Sequence, residues 1–314
     1  MIRPGLKPVL RGAIFVLATS VWSSQAMAQR QTANPRTATQ SGAVTKNAAP
    51  MAPSRAPLRV AEKLSSHDSA LIDYLQGFES RPGEHPLMPA LRWARARRDR
   101  MKDIKDYSCT FVKRERINGV LGDFQYIFCK VRHEPLSVYM YFLGPPKMRG
   151  QEVIYVAGAN NGKLWGHTTG IKSRAIGTVS LNPTGMIAMR GNKYPITEMG
   201  FLHMADELIE IGENDTKFGE CDVQVFRGAK INGRSCICLQ VTHPVPRRNF
   251  RFHIARIYVD DEMNVPVRYE AYDWPHEPGG KPVLHEEYTY LNVKLNLGLT
   301  NLDFDPKNPA YSFP

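Results

Sequence analysis

The chain has 314 residues, of which 42% are hydrophobic and 23% charged, a composition typical of a globular protein that can bury a sizeable core. Its formal net charge is +11, but residues 1–60 hold eight lysines and arginines and no acidic residue, so residues 61–314 carry only +3. A nearly neutral folded part argues against a nucleic-acid partner.

Residues 1–28 have the pattern of a signal peptide. Three basic residues precede the apolar run Ala13–Trp22, which is too short to span a bilayer comfortably, and Ala26–Ala28 forms an A-x-A cleavage site. We therefore expect an exported protein, periplasmic or secreted, whose mature chain begins at Gln29. An N-terminal anchor that escapes cleavage is the alternative.

Residues 29–60 are rich in Ala, Thr, Pro, Gln and Ser and poor in large apolar residues, which predicts a disordered tether. A short helical pattern follows in residues 61–85, with Leu71, Leu75 and Phe78 on one side. The remaining residues, 86–314, are predicted to form a single domain.

A long amphipathic helix is predicted from Pro86 to Lys105. Leu87, Leu91 and Met101 recur at helical spacing, and the period changes from 3.6 to 2 at Tyr107. The opposite face of the helix is basic, which is typical of a solvated face or of contact with an anionic membrane surface. The candidate membrane-contact residues are Arg92, Arg95, Arg98 and Lys102.

From Tyr107 onward the sequence predicts about ten strands in hairpin order, with turns such as Asn118-Gly119. Two short helices are expected to interrupt them. One begins at Pro183 and ends near Arg190, and the other runs from about Gly200 to Ile211 and ends at Gly212. The predicted fold class is α+β, mainly antiparallel β: a curved open half-barrel sheet with helices packed in its concave face.

Five cysteines in an exported chain suggest some use of disulfides. Cys109 and Cys129 lie on adjacent predicted strands, so one interpretation is a bridge between them. Cys236 and Cys238 share a strand face and are poorly placed to bridge each other, and Cys221 could reach either. The other interpretation is that the thiols are small buried hydrophobes.

The sequence contains no motif typical of a hydrolase, a nucleotide-binding loop or a zinc protease. His285 and Glu287 share a strand face, but two ligands are too few for a zinc site. Asp303, Asp305 and Asn308 lack the glycine and terminal glutamate of a calcium loop, and a turn that docks the C-terminal tail is favoured. No catalytic residue, metal or cofactor is therefore predicted.

Several motifs occur in an order that suggests a family. They are Lys113–Arg116 with the turn at Asn118-Gly119, Val265–Arg268, Glu287–Tyr290, Asn296–Thr300, Asp303–Asp305 and Asn308–Tyr311. With them, residues 86–314 resemble the bacterial domain of unknown function family 1571, which is similar in outline to the LolA/LolB lipoprotein carriers. The resemblance implies an open half-barrel with helices in its concavity. In those carriers an apolar cavity holds acyl chains.

One predicted strand carries apolar side chains on both faces, with Val138, Met140 and Phe142 on one face and Tyr139 and Tyr141 on the other. These side chains form either an ordinary core under the helices or a partly open cavity that holds a lipid chain. The candidate ligand-binding residues are Val138, Met140, Phe142, Ile154 and Trp165.

Three functions are consistent with these features. The first is a periplasmic carrier or binding module for a lipid or a lipidated protein. The second is a non-catalytic envelope protein that docks through its basic helix, and the third is an unrecognised hydrolase. An apolar cavity would favour the first, a concave face closed by its own helices the second, and convergent carboxylates or histidines the third. The sequence does not indicate the oligomeric state.

Overall fold

The structure is a computed structural model that describes residues 62–63, 78–169, 177–219 and 221–314. The predicted signal peptide (residues 1–28), the predicted tether (residues 29–60) and most of the segment 61–85 lie outside the described residues. Among the helices that are described, none has the length and apolar character needed to cross a membrane.

Two α-helices are present, α1 (Met88–Arg100) and α2 (Phe201–Asp215). Helix α2 continues through Gly212, so the prediction that Gly212 ends the helix was wrong. A Cβ atom at Gly212 would lie 2.9 Å from Cδ2 of Leu91 on α1. The glycine is therefore needed for the close approach of the two helices rather than for a C-terminal cap.

The strands of the described residues are short at the edges of the sheet and long at its centre. They are β1 (Glu62–Lys63), β2 (Asp106–Ile117), β3 (Val120–Leu121), β4 (Gln125–Arg132), β5 (Ser137–Gly144), β6 (Glu152–Val156), β7 (Leu164–His167), β8 (Val179–Leu181), β9 (Asp222–Ile231), β10 (Arg234–Thr242), β11 (Ile254–Asp260), β12 (Pro266–Asp273) and β13 (Val283–Leu295).

These strands form one antiparallel sheet in the order β1-β9-β10-β11-β12-β13-β2-β4-β5-β6-β7-β8, and β3 pairs only with β2. Strands β9 to β13 follow each other as hairpins, and so do β4 to β8. The pairing of β13 with β2 joins the two halves. The sheet is open and curved with the helices on its concave face, which confirms the predicted fold class.

The helix predicted from Pro183 to Arg190 is absent, and the chain makes a series of turns there. Oδ1 of Asn182 accepts a hydrogen bond from the N–H of Thr184, as expected of a capping residue. No helix follows because so short a segment is stable only when it buries an apolar face, whereas Met186 and Ile187 are exposed.

Alternate residues of β2 point into the concave face, where Tyr107, Cys109 and Phe111 are buried. Cys109 lies directly opposite Cys129 on β4, as the hairpin pattern indicated. All five cysteines are free thiols here, and the use of disulfides stays a prediction. Burial raises the pKa of the Cys109 thiol, which stays neutral and packs as a small hydrophobe.

The C-terminal segment, residues 296–314, covers part of the opposite face of the sheet. The ring of Tyr311 stacks on Tyr139 with centroids 3.9 Å apart, and Nζ of Lys130 lies 2.7 Å from Oδ1 of Asp303. The carboxylate of Asp106 accepts hydrogen bonds from the N–H groups of Leu297 and Leu299. The tail-docking function expected of the turn around Asp303 is thereby confirmed.

Helix α2 is anchored to the sheet by the fully buried ring of Phe201. This ring stacks on Tyr107 of β2 at 4.2 Å between centroids and lies 4.7 Å from the ring of Tyr290 on β13. The two strands that hold these tyrosines are the pair that joins the halves of the sheet. The contact therefore fixes the first turn of α2 over the centre of the sheet.

We predict that Phe201→Ala lowers the free energy of unfolding by about 4 kcal/mol, because a large side chain is removed from a closed core. Phe201→Leu, which keeps most of the volume, should cost less than half as much. Urea unfolding followed by circular dichroism measures both. An alanine variant as stable as the leucine variant would contradict this anchoring function.

Candidate functional site

A cavity of about 390 Å³ lies between the concave face of the sheet, helix α2 and residues 181–199, which precede that helix. This volume is within the range of small-molecule sites in proteins. Most of the lining is apolar. The aromatic and methionine side chains that line it are Phe111, Phe142, Tyr194, Tyr269, Tyr288, Tyr290, Met140, Met148, Met199 and Met204.

Strand register explains this lining. Met140 on β5 lies between Cys129 on β4 and Val153 on β6, so all three side chains point to the concave face. On the other side, Phe111 of β2 is paired with Tyr290 of β13. Four of the lining residues are methionines, whose flexible thioethers adapt to ligands of different shape.

The structure brings together two of the five predicted ligand-binding residues, Met140 and Phe142. Val138 is on the same face, but it is fully buried in the core outside the cavity. Ile154 is the register partner of Tyr139 on one side and of Trp165 on the other. Ile154 and Trp165 therefore point to the opposite face of the sheet, under the C-terminal segment. The sequence indicated their proximity correctly, but their side of the sheet depends on register.

One end of the cavity is polar. Nζ of Lys113 lies 3.0 Å from Oε2 of Glu115 and donates a hydrogen bond to Oδ1 of Asn192. The hydroxyl of Tyr288 donates to Oε1 of Glu115. Burial lowers the pKa of Lys113, although the neighbouring Glu115 acts in the opposite direction.

A second buried ion pair lies beside the first. Nζ of Lys193 is 2.8 Å from Oε2 of Glu286, and the hydroxyl of Tyr194 donates to the same carboxylate. Burial and the charge of Glu286 raise the pKa of Tyr194, which keeps the phenol protonated and able to donate. These contacts fasten residues 192–194 to strands β2 and β13 at the end of the cavity.

The sequence analysis missed this polar cluster. Lys113 and Glu115 share a strand face, and that spacing was available as a signal. Their partners Asn192, Lys193 and Tyr194 belong to a segment outside the sheet, and no sequence pattern indicated where that segment lies.

Helix α2 separates the cavity from a smaller one of about 90 Å³ under α1. Leu208 and Ile211 of α2 line both. Arg97 of α1 is buried at the smaller cavity, with its guanidinium 4.1 Å above the ring of Trp93. Helix α2 thus lies between a larger and a smaller cavity among the described residues.

Acidic residues neutralise the candidate membrane-contact residues of α1. The hydrogen bond from Arg92 lowers the pKa of Glu84 to about 2. Two other pairs connect α1 to α2, and one joins the end of α1 to the turn that follows it. The pairs are Arg92 with Glu84, Arg95 with Glu213, Arg98 with Asp206 and Lys102 with Asp99. Contact of this face with a membrane stays a prediction.

The histidine and carboxylates weighed as metal ligands have other partners. Nδ1 of His285 lies 2.8 Å from Oδ2 of Asp273, whereas Glu287 accepts a hydrogen bond from Arg268. Over the part of the chain that the structure describes, no group of three or more His, Cys, Asp and Glu side chains is arranged to hold a metal ion.

Residues 104–313 match the family described as protein of unknown function (DUF1571). The chain belongs to this family. The match confirms the resemblance suggested by the motifs, and it includes the sheet from β2 onward, helix α2 and the C-terminal segment. No curated protein matches the chain.

Three solved structures are among those to which this chain is similar. Lipoprotein LppX from Mycobacterium tuberculosis is 14% identical, with 69% of this chain and 99% of that chain covered and a TM-score of 0.40. A putative outer membrane lipoprotein-sorting protein domain from Vibrio parahaemolyticus is 14% identical, with 68% of this chain and 95% of that chain covered and a TM-score of 0.33. A LolA superfamily protein from Nitrosomonas europaea is 12% identical, with 68% of this chain and 97% of that chain covered and a TM-score of 0.28.

We predict that Glu286→Ala lowers the free energy of unfolding by about 3 kcal/mol, because it leaves the ammonium of Lys193 without its buried partner. Asp99→Ala is the matched control, since it breaks an exposed pair with Lys102 and should leave stability nearly unchanged. Urea unfolding compares the two. Equal losses would show that burial does not determine the strength of these ion pairs.

Proposed function

We propose that the protein is an exported binding module or carrier for a lipid or a lipidated protein, and that its cavity holds an acyl chain. The single observation that carries this proposal is the apolar cavity of about 390 Å³ on the concave face. The helices do not fill this face, which favours a carrier over a module closed by its own helices.

Burial of a hydrocarbon chain supplies enough free energy for binding. Each methylene removed from water contributes about 0.8 kcal/mol, so about ten methylenes contribute about 8 kcal/mol before the cost of association. This favours a ligand with one long chain over a small polar molecule. Lining methionines such as Met140 and Met204 allow chains of different length or unsaturation to be accommodated.

The charges at the polar end do not demand a charged ligand. Lys113 and Lys193 are paired with Glu115 and Glu286, so the buried charges compensate one another. Because these acids are held by lysines and tyrosines, the cavity gives no support to the hydrolase hypothesis. Export is supported by the signal-peptide pattern of residues 1–28.

The test uses the exported protein, purified from an expressing bacterium without detergent. Native mass spectrometry, with lipid extraction in parallel, should detect an acyl-chain ligand on the wild-type protein. Met140→Trp fills the cavity with a larger side chain and should lower the bound fraction roughly tenfold while the protein stays folded. Met140→Leu keeps the volume and should bind as the wild type does.

A wild-type protein that carries no lipid, and still carries none after incubation with a lysophospholipid and a fatty acid, would contradict the proposal. Unchanged binding by Met140→Trp would also contradict it, because the ligand would then lie outside the cavity. The thermal unfolding midpoints of both variants verify that each is folded before its occupancy is compared.

A further inference from the structure

The most exposed large apolar side chains of the described residues are consecutive. Met186 is 90% exposed and Ile187 is 73% exposed, and both belong to the turns that precede α2. Single exposed apolar residues are normal on protein surfaces, but an adjacent pair exposed to this degree needs a partner. We call residues 182–192 the mouth segment.

The mouth segment borders the cavity. Pro183 and Ala188 line the cavity, and so does Ile187, which is largely exposed to solvent as well. An apolar surface therefore continues from the outside of the segment to the interior of the half-barrel. A chain that enters along this surface meets apolar side chains along its path.

The mouth segment is held at its two ends, at its start by the preceding strand β8, whose Leu181 pairs with Leu164 of β7, and at its end by the polar cluster. Lys113 bonds to Asn192, and the adjacent Lys193 and Tyr194 bond to Glu286. In contrast, the hydrogen bonds that residues 183–190 make with other described residues stay within the segment, as in the bond from the N–H of Met189 to the carbonyl of Gly185. Among the described residues, no hydrogen bond therefore joins the apolar tip to the sheet.

Exposed cations are present in the mouth segment and in one loop that lines the same cavity. The mouth segment contains no acidic residue, and its Arg190 is exposed. The loop between β5 and β6 contributes Met148 to the lining of the cavity, and the residues on either side of it, Lys147 and Arg149, are exposed. Exposed apolar side chains followed in the same segment by an exposed cation, Arg190, match the interface of an anionic bilayer, since the apolar side chains enter the acyl region and the cation meets the headgroups.

We propose that the mouth segment docks on an anionic lipid bilayer through Met186, Ile187 and Arg190, so that an acyl chain passes between the membrane and the cavity without crossing water. The passage of the chain rests on the proposed function, whereas docking on the bilayer is a separate property. This surface differs from the basic face of α1, whose cations are neutralised by acids.

Co-sedimentation with vesicles tests the docking. The exported wild-type protein should bind vesicles of phosphatidylcholine and phosphatidylglycerol more tightly than vesicles of phosphatidylcholine alone. The double variant Met186→Asp/Ile187→Asp should bind the mixed vesicles at least roughly tenfold more weakly, because two side chains lose their apolar burial. Arg190→Glu should bind them roughly fivefold more weakly than the wild type at low salt. This difference should decrease at high salt, because salt screens the charge.

Two controls make the result specific. Leu302→Asp introduces one aspartate at an exposed apolar residue of the C-terminal segment and should leave binding unchanged. The pair Arg95→Ala/Lys102→Ala removes cations from α1 and should also leave it unchanged. A tryptophan placed by Ile187→Trp should shift its fluorescence to shorter wavelength when mixed vesicles are added.

The proposal is overturned if the wild type does not sediment with mixed vesicles, if the double variant sediments equally well, or if only the α1 variant loses binding. Failure of the proposed function would look different. In that case, vesicle binding would still depend on Met186 and Ile187, but native mass spectrometry would detect no ligand in the cavity.

Discussion

The position of helix α2 over the sheet determines what the rest of the structure can do. Phe201 fixes its first turn between Tyr107 and Tyr290, and Gly212 brings its last turns against Leu91 of α1. The helix is thereby held over the two strands that join the halves of the sheet, with one side facing α1. Because α2 packs toward α1 and fills that half of the concave face, the other half is left open. The large cavity is a consequence of this asymmetric packing.

Two kinds of interaction then define the cavity. Its floor is a row of aromatic and methionine side chains from β2, β5, β12 and β13. These side chains can bury an apolar ligand through the hydrophobic effect, which does not depend on direction. Its polar end is a buried set of ion pairs around Glu115 and Glu286 that fastens residues 192–194. Removing one partner of such a set is costly, so the end of the mouth segment is firmly fixed, while Met186 and Ile187 in its middle are exposed to another surface.

The sequence was sufficient for the class of fold, because period-two alternation and Asn-Gly turns specify antiparallel hairpins locally. It was insufficient wherever the outcome depended on tertiary contacts. Gly212 matched the pattern of a helix end but serves the contact with α1, and the turns at Pro183 matched a helix start but have no face to bury. For the candidate site, the strand that holds Met140 and Phe142 was identified correctly. Ile154 and Trp165 were assigned to the wrong side of the sheet, because a shift of one residue in register reverses the face on which a side chain lies.

The most direct measurement of the central claim is methyl NMR of the protein with labelled methionine and a spin-labelled fatty acid. Among the methionines of the described residues, Met140, Met148, Met199 and Met204 line the cavity, whereas Met101 and Met263 do not line it. A chain in the cavity should broaden the resonances of the four lining methyl groups first and leave those of Met101 and Met263 sharp. Uniform broadening, or no broadening at concentrations that saturate binding, would contradict an acyl-chain site on the concave face.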